Sequence, residues 1–170
     1  MRSPARAMIR PVLAALLLVL TCAIPFGVRA APPVQLWEEA DLRLRPGVNA
    51  TVIIRLSIAE GFAVVGAGVQ HETLRPLQLR MQPAEGVRFG VPAYPRPQPV
   101  QLLAGRSGIP AHSGVVAIRL PVQVAANATW STATLRGALR YQACRAGTCE
   151  APQALPVAIE LEAVRSPTPR

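Results

Sequence analysis

The stretch VNATVIIRLSI, from Val48 to Ile58, alternates apolar and polar side chains with a period of two. Every even-numbered position in it is apolar, and four of the five odd-numbered positions are polar. Alternation of this kind predicts a β-strand that buries one face and exposes the other to solvent. The rest of the chain can be interpreted outward from this strand.

The same pattern recurs further along the chain. The runs are LQLRMQ (77–82), GVRFGV (86–91), VAIRLPVQV (116–124), TLRGALRYQ (134–142) and LPVAIEL (155–161). Turn-forming glycines separate several of these runs, and no stretch has a convincing helical pattern. About seven or eight short strands at this spacing predict an all-β protein, an immunoglobulin-like β-sandwich in a single domain. A closed β-barrel is the alternative architecture.

Two prolines, Pro121 and Pro156, interrupt otherwise regular strand patterns. Proline lacks the N–H group that a sheet ladder needs, so it is confined to edge strands and bulges. We therefore expect the strands that carry these two prolines to run at a sheet edge or to contain a bulge.

The first thirty residues have the pattern of a secretory signal peptide. Three arginines and no acidic residue precede an apolar run over residues 13–24, and the stretch GVRA ends on Ala30. The run is too short to span a bilayer comfortably, which favours a signal peptide over residues 1–30 that is cleaved after Ala30. An uncleaved anchor, or a lipoprotein acylated at Cys22, is the alternative.

Removal of this leader would leave residues 31–164 as the folded domain and residues 165–170 as a flexible tail. No second apolar stretch approaches membrane length, so we expect no stable membrane insertion. The sequence thus predicts an exported, periplasmic protein, in a compartment where disulfides form and persist.

The charge of the chain does not indicate a nucleic-acid-binding surface. All 18 basic residues are arginine, and removing the four in the leader lowers the formal net charge from +9 to +5. The remaining arginines are scattered singly and are not interleaved with aromatic residues. A nucleic-acid partner is therefore not expected.

Two cysteines stand close together in the stretch YQACRAGTCEAP, residues 141–152. The spacer RAGT contains Gly147, which can adopt the positive φ of a tight hairpin and bring Cys144 and Cys149 within disulfide distance. Such a pair could be a structural staple, a redox-active pair or part of a metal site. Closing so short a loop removes little entropy from the unfolded chain, which favours the redox pair. His71 and His112 lack the paired spacing of a zinc site.

Strand parity predicts where the side chains around the first cysteine point. One face would carry Leu135, Leu139 and Tyr141, and the other would carry Arg136, Arg140, Gln142 and Cys144. Cys144 would then be partly exposed between Arg140 and Arg145, whose positive charges would favour its thiolate form. Parity leaves the direction of Cys149 open, because prolines interrupt the pattern after it.

The segments LRGALRYQAC (135–144) and CEAP (149–152) resemble the signature of the periplasmic N-terminal domain of DsbD, the thiol:disulfide interchange protein. Two upstream segments fit the same family in order, namely RPLQLRMQPAEGVRFGVPAYPRP (75–97) and SGVVAIRLPVQV (113–124). The similarity extends over about residues 45–162.

The resemblance implies an immunoglobulin-like fold and a redox-active disulfide between Cys144 and Cys149, supported by Tyr141, Gln142 and Arg140. It implies a redox carrier without a substrate pocket, cofactor or metal. The expected partners are periplasmic thioredoxin-fold proteins, including those of cytochrome c maturation, and a membrane electron donor acting in trans. The alternative is a non-catalytic periplasmic binding or assembly module with a structural disulfide.

The family shields its disulfide with a cap loop that bears an aromatic residue and acidic residues. The corresponding segment here, Gln98–Gly108, has neither. It offers Leu102 and Leu103 as apolar cover for the cysteines.

Overall fold

The computed structural model of the protein describes residues 31–37, 42–103 and 108–164. The predicted signal peptide and C-terminal tail lie outside the described residues, and so does part of the segment Gln98–Gly108. The described residues form thirteen β-strands and no helix, and so contain no helix that could cross a membrane. The strands are β1 Val34–Trp37, β2 Leu42–Leu44, β3 Asn49–Ile58, β4 Ala63–Val65, β5 Gln78–Met81, β6 Val87–Phe89, β7 Gln98–Val100, β8 Ile109–His112, β9 Val115–Val124, β10 Thr132–Tyr141, β11 Ala143–Arg145, β12 Thr148–Cys149 and β13 Gln153–Ala163.

Two four-stranded sheets form the body of the protein. The first has the order β1-β3-β9-β6, and the second has the order β2-β13-β10-β5. Inward side chains of both sheets belong to one hydrophobic cluster, which we call the main core; it includes Val52, Ile54, Leu56, Ile118, Leu120, Leu135, Leu139, Ile159 and Leu161. The prediction of an all-β, immunoglobulin-like sandwich is confirmed.

The alternation that predicted β3 is present in the structure. Val52, Ile54, Leu56 and Ile58 are buried, while the polar positions between them are exposed or half-buried. Val48 precedes the strand and remains 52 % exposed, so the buried stripe begins later than the sequence pattern does. The partner strand β9 alternates between buried and exposed residues along its whole length.

A third, five-stranded sheet with the order β12-β11-β4-β8-β7 carries the cysteines. It is built from the continuation of the long strands, because β4 follows β3 and β11 follows β10. Residues of this sheet pack with two leucines outside its strands, Leu74 and Leu102, in a separate cluster, which we call the second core. Its members in the sheet are Ala63, Val65, Ile109, Ala111 and Cys144. Its strands are two to four residues long and lie outside the alternating runs, so the sequence did not predict this sheet.

The two prolines within strands have different surroundings. Among the described residues, β2 pairs with β13 only at Leu161–Ala163, so Pro156 has no described strand on that side, which agrees with the predicted sheet edge. Pro121 is not on an edge strand, because β9 lies between β3 and β6. Its carbonyl accepts a hydrogen bond from the N–H of Gly90 (2.8 Å), one residue beyond the end of β6. The nitrogen of Pro121, which carries no hydrogen, is therefore on the side of Gly90, beyond the last residue of β6.

Candidate functional site

The two cysteines lie opposite each other on a hairpin formed by β11 and β12, residues 143–149, which we call the cysteine hairpin. Cys144 pairs with Cys149, and Arg145 pairs with Thr148. The turn residues Ala146 and Gly147 have φ values of 49° and 82°, the two positive angles of a type I′ turn. The predicted positive φ of Gly147 is confirmed. The cysteines form a disulfide with a Cα–Cα distance of 3.9 Å.

The prediction that Cys144 lies on a wet face is wrong, since this residue is only 1 % exposed. Gln142, predicted on the same face, is buried as well. Strand parity holds only as far as Tyr141, where β10 ends, and the chain enters the third sheet at Ala143. There, Cys144 faces the second core instead of solvent. Cys149 is half-buried and packs against the margin of the same cluster, so it is the more exposed member of the pair.

Leu102 covers the disulfide from the side of Cys149. This leucine is buried in the second core, and its carbonyl oxygen lies 4.0 Å from the Sγ atom of Cys149. Leu103 is a partly buried member of the same cluster. Both leucines that the sequence offered as apolar cover therefore belong to the cluster that contains the cysteines.

Tyr141 points into the main core, as parity predicted, and is buried. Its hydroxyl donates to Oε1 of Gln153 (2.9 Å), and Nε2 of Gln153 donates to the carboxylate of Glu150 (2.9 Å). Burial, and then the negative charge of Glu150, raise the pKa of the Tyr141 phenol. Tyr141 thus anchors the end of β10 next to the cysteine hairpin.

Gln142 is buried (7 % exposed) and makes two hydrogen bonds through its side-chain amide. Its Oε1 accepts from the N–H of Arg75 (2.7 Å), and its Nε2 donates to the carbonyl of Glu150 (3.0 Å). The N–H of Glu150 donates to the carbonyl of Ala143 (2.8 Å). Gln142 therefore connects the strand that enters the cysteine hairpin with the chain that leaves it.

The arginines near the site have different positions. Arg140 is exposed on the outer face of the second sheet, where it pairs with Gln78 and Ala154. Arg145 belongs to the cysteine hairpin, and its guanidinium carbon lies 4.8 Å from the centroid of the Phe62 ring. This is cation–π geometry, which holds the turn against the chain just before β4. Phe62 could not be identified from the alternating pattern, because it lies outside the alternating runs.

The two histidines do not join the cysteines in a common site. Nδ1 of His71 accepts a hydrogen bond from the N–H of Thr73 (3.2 Å) in an exposed segment. His112 lies on β8, and burial lowers its pKa. Across residues 31–37, 42–103 and 108–164, no group of three or more His, Cys, Asp or Glu side chains could hold a metal ion.

No protein-family model matches the chain. No curated protein matches it either. Similar solved structures include a family 123 glycoside hydrolase from Clostridium perfringens, with 7 % identity, a TM-score of 0.39 and coverage of 76 % of this chain and 23 % of that chain. They also include AggA, the major subunit of aggregative adherence fimbriae type I from Escherichia coli, with 11 % identity, a TM-score of 0.38 and coverage of 78 % and 95 %. The N-terminal domain of DsbD from Neisseria meningitidis, solved in the reduced form, is similar with 19 % identity, a TM-score of 0.47 and coverage of 79 % of this chain and 92 % of that domain.

Proposed function

We propose that this chain is an exported thiol:disulfide exchange protein whose redox centre is the Cys144–Cys149 pair. The observation that carries the proposal is the position of the disulfide on a hairpin, with one cysteine buried and the other half-exposed. A staple would contribute little there, because it closes a short loop between strands that already pair through their backbones.

The exchange begins when a thiolate of a partner's dithiol attacks Sγ of Cys149, the more exposed sulfur. The bond between Cys144 and Cys149 breaks, a bond forms between the partner and Cys149, and Cys144 leaves as a thiolate. The partner's second thiolate then attacks the partner's own sulfur in this mixed disulfide and releases Cys149 as a thiolate. Two electrons pass from the partner to this chain, and the partner becomes a disulfide. The same steps in reverse reduce the next partner.

The stretch of Leu102 and Leu103 beside the disulfide would control which thiols reach it. Attack on Cys149 must come roughly in line with the S–S bond, and the Leu102 carbonyl lies 4.0 Å from that sulfur. A partner surface that displaces this segment gains access, whereas a small thiol in solution meets a partly covered sulfur. Protein partners are therefore favoured over small-molecule thiols.

The partners in this proposal are thioredoxin-fold proteins outside the cytoplasm, with a membrane electron donor supplied by a separate protein. The Tyr-Gln-Ala-Cys element supports this, through its resemblance to the N-terminal domain of DsbD. The sulfur atoms themselves carry the electrons, so the carrier needs no cofactor.

Equilibration of the protein with glutathione redox buffers tests the proposal. We expect a reduction potential above about −300 mV, in the range where thioredoxin-fold proteins can exchange electrons with the pair. The fractions of dithiol and disulfide would be measured by mass spectrometry after alkylation. A potential below about −300 mV would indicate an inert structural disulfide and refute the proposal.

Burial of Cys144 in the second core favours a second candidate, a non-catalytic periplasmic binding or assembly module that uses the disulfide as a staple. For such a module, replacing both cysteines with serine would lower the melting temperature and leave partner binding intact. For the redox carrier, the same change would abolish electron transfer.

A further inference from the structure

The side-chain amide of Gln142 closes the end of the cysteine hairpin that lies opposite the turn. The turn holds Arg145 next to Thr148 at one end. At the other end, the carbonyl of Glu150 accepts from Nε2 of Gln142 (3.0 Å), while the N–H of Glu150 donates to Ala143 (2.8 Å). The disulfide lies between these two closures.

A second hydrogen bond, on its oxygen, holds the side chain of Gln142 in place. Its Oε1 accepts from the backbone N–H of Arg75 (2.7 Å), and the residue is buried. An amide held at its oxygen has a fixed direction for its N–H group, so the bond to Glu150 is made without further ordering of the side chain. Gln142 therefore provides a rigid reference point for the strand that carries Cys149.

Reduction removes the covalent bond and leaves the cysteine hairpin with noncovalent closures only. β11 stays paired with β4, whereas β12 is a two-residue strand at the edge of the third sheet, next to β11. Local opening after reduction is therefore expected at β12, the strand that carries Cys149. How often the two thiols meet then depends on how well the ends of the hairpin remain closed.

We infer that Gln142 is a positioning residue for the Cys144–Cys149 pair, which keeps the reduced thiols close together and so favours their closure to the disulfide. The hydrogen bond from Gln142 to Glu150 is formed in the oxidised form, where the disulfide keeps the two strands of the cysteine hairpin together. In the reduced form the hairpin can fray, and the same bond is made only part of the time. Loss of Gln142 therefore weakens the oxidised form more than the reduced form. The biological use of this effect rests on the proposed function.

The equilibrium with glutathione measures this closure directly. One glutathione disulfide oxidises the protein dithiol, which yields the Cys144–Cys149 bond and two glutathione thiols, and two electrons pass to glutathione. For Gln142→Met, which keeps the length of the side chain and loses the amide, we expect the equilibrium constant to fall roughly threefold to tenfold, the worth of about one buried hydrogen bond.

Gln153→Met is the matched control, because Gln153 contacts the carboxylate of Glu150 instead of its backbone. We expect its equilibrium constant to stay within about twofold of the parent value. An unchanged constant in Gln142→Met, with melting temperatures lowered equally in the oxidised and reduced forms, would overturn the inference, since Gln142 would then be merely structural.

The variant Gln142→Glu distinguishes the hydrogen bond with Arg75 from the hydrogen bond with Glu150. It also replaces the methionine variant as the test if that variant does not fold. A carboxyl group can still accept from the N–H of Arg75, but it can donate to the Glu150 carbonyl only when protonated. Compared with the parent at the same pH, its equilibrium constant should be close to the parent value in acid and fall as the carboxyl ionises. A constant as low as that of Gln142→Met at every pH would contradict the inference.

These measurements use glutathione and need no protein partner. If the chain turns out to be a binding module with an inert structural disulfide, the proposed function fails while the effect of Gln142 on the equilibrium constant can still be observed. If the constant does not respond to Gln142, the inference fails while the potential can still support exchange.

Discussion

At the scale of single residues, the two members of the disulfide differ in their surroundings. Cys144 is enclosed by the second core, whereas Cys149 sits at its margin on the short strand β12. This difference assigns separate roles. Cys149 would be the sulfur that partners attack, and Cys144 would be the thiolate that leaves and later re-forms the bond.

This assignment predicts unequal reactivity in two single-cysteine variants. Cys144→Ser leaves Cys149 as the free thiol, and we expect it to react with glutathione disulfide at least about tenfold faster than Cys149→Ser, because access controls thiol exchange. The rates would be followed by mass spectrometry of the mixed disulfide. Equal rates, or a faster reaction of Cys149→Ser, would reverse the assignment of the two cysteines.

At the scale of strands, those with an alternating pattern could be predicted from sequence, and the short strands of the third sheet could not. β3 and β9 are each ten residues long, which is enough for the alternation to show: β9 alternates between buried and exposed residues throughout, and β3 buries every second residue from Val52 to Ile58. β4 is buried at all three of its positions, and β12 has only two residues, so neither shows a periodic pattern. The position of Cys144 was predicted wrongly for the same reason, since the pattern of β10 does not reveal that the chain changes sheets after Tyr141.

Gly137 shows how close two strands of the second sheet approach. A Cβ atom at this position of β10 would lie 2.6 Å from Sδ of Met81 and 2.7 Å from the carbonyl oxygen of Arg80 on β5. The methionine side chain can move, but the backbone carbonyl cannot. We therefore expect Gly137→Ala to destabilise the protein by about 1–3 kcal/mol, as overpacking does in other cores.

Urea unfolding of Gly137→Ala would measure this loss, with Met81→Ala as the background for a double variant. Shortening Met81 removes the contact with Sδ and leaves the contact with the carbonyl of Arg80, so we expect only partial recovery. A Gly137→Ala protein as stable as the parent would show that β5 does not approach β10 this closely.

At the scale of the whole molecule, the fold joins a large sandwich to a small sheet that bears the candidate site. Three neighbouring strands of the third sheet place His112 near the cysteine hairpin. His112 of β8 lies opposite Val64 of β4, and Val64 lies opposite Ala143 of the cysteine hairpin. His112 is 5 % exposed, and its Nε2 has no hydrogen-bond partner within the described part of the chain. A charged imidazolium at this position would be costly.

Because of His112, we expect the free energy of unfolding of the protein to decrease in mild acid. Burial lowers its pKa in the folded state, whereas in the unfolded chain it binds a proton below about pH 6.5. As the pH falls from about 6.5 towards the lower folded pKa, the unfolded state takes up a proton that the folded state does not, and the free energy of unfolding decreases. Above about pH 6.5 both states are neutral at this residue, and it contributes no pH dependence.

The measurement is urea unfolding of the parent and of His112→Leu at about pH 7.5 and about pH 5. We expect the leucine variant to lose less stability between these two values than the parent does, while His71→Gln, a change in an exposed segment, should follow the parent. The same loss in the parent and in His112→Leu would mean that other groups cause the acid sensitivity.

The separation of the second core from the main core has a consequence for how this protein can evolve. The side chains that surround the sulfurs form a cluster of their own, although Val64 and Ala143 of the third sheet belong to the main core. Substitutions around the sulfurs that leave these two residues unchanged need not be compensated in the sandwich. A lineage could therefore retune the cysteine hairpin and its cover for new partners while the sandwich kept the chain folded. The small sheet would be the variable part of the molecule, and the sandwich its conserved support.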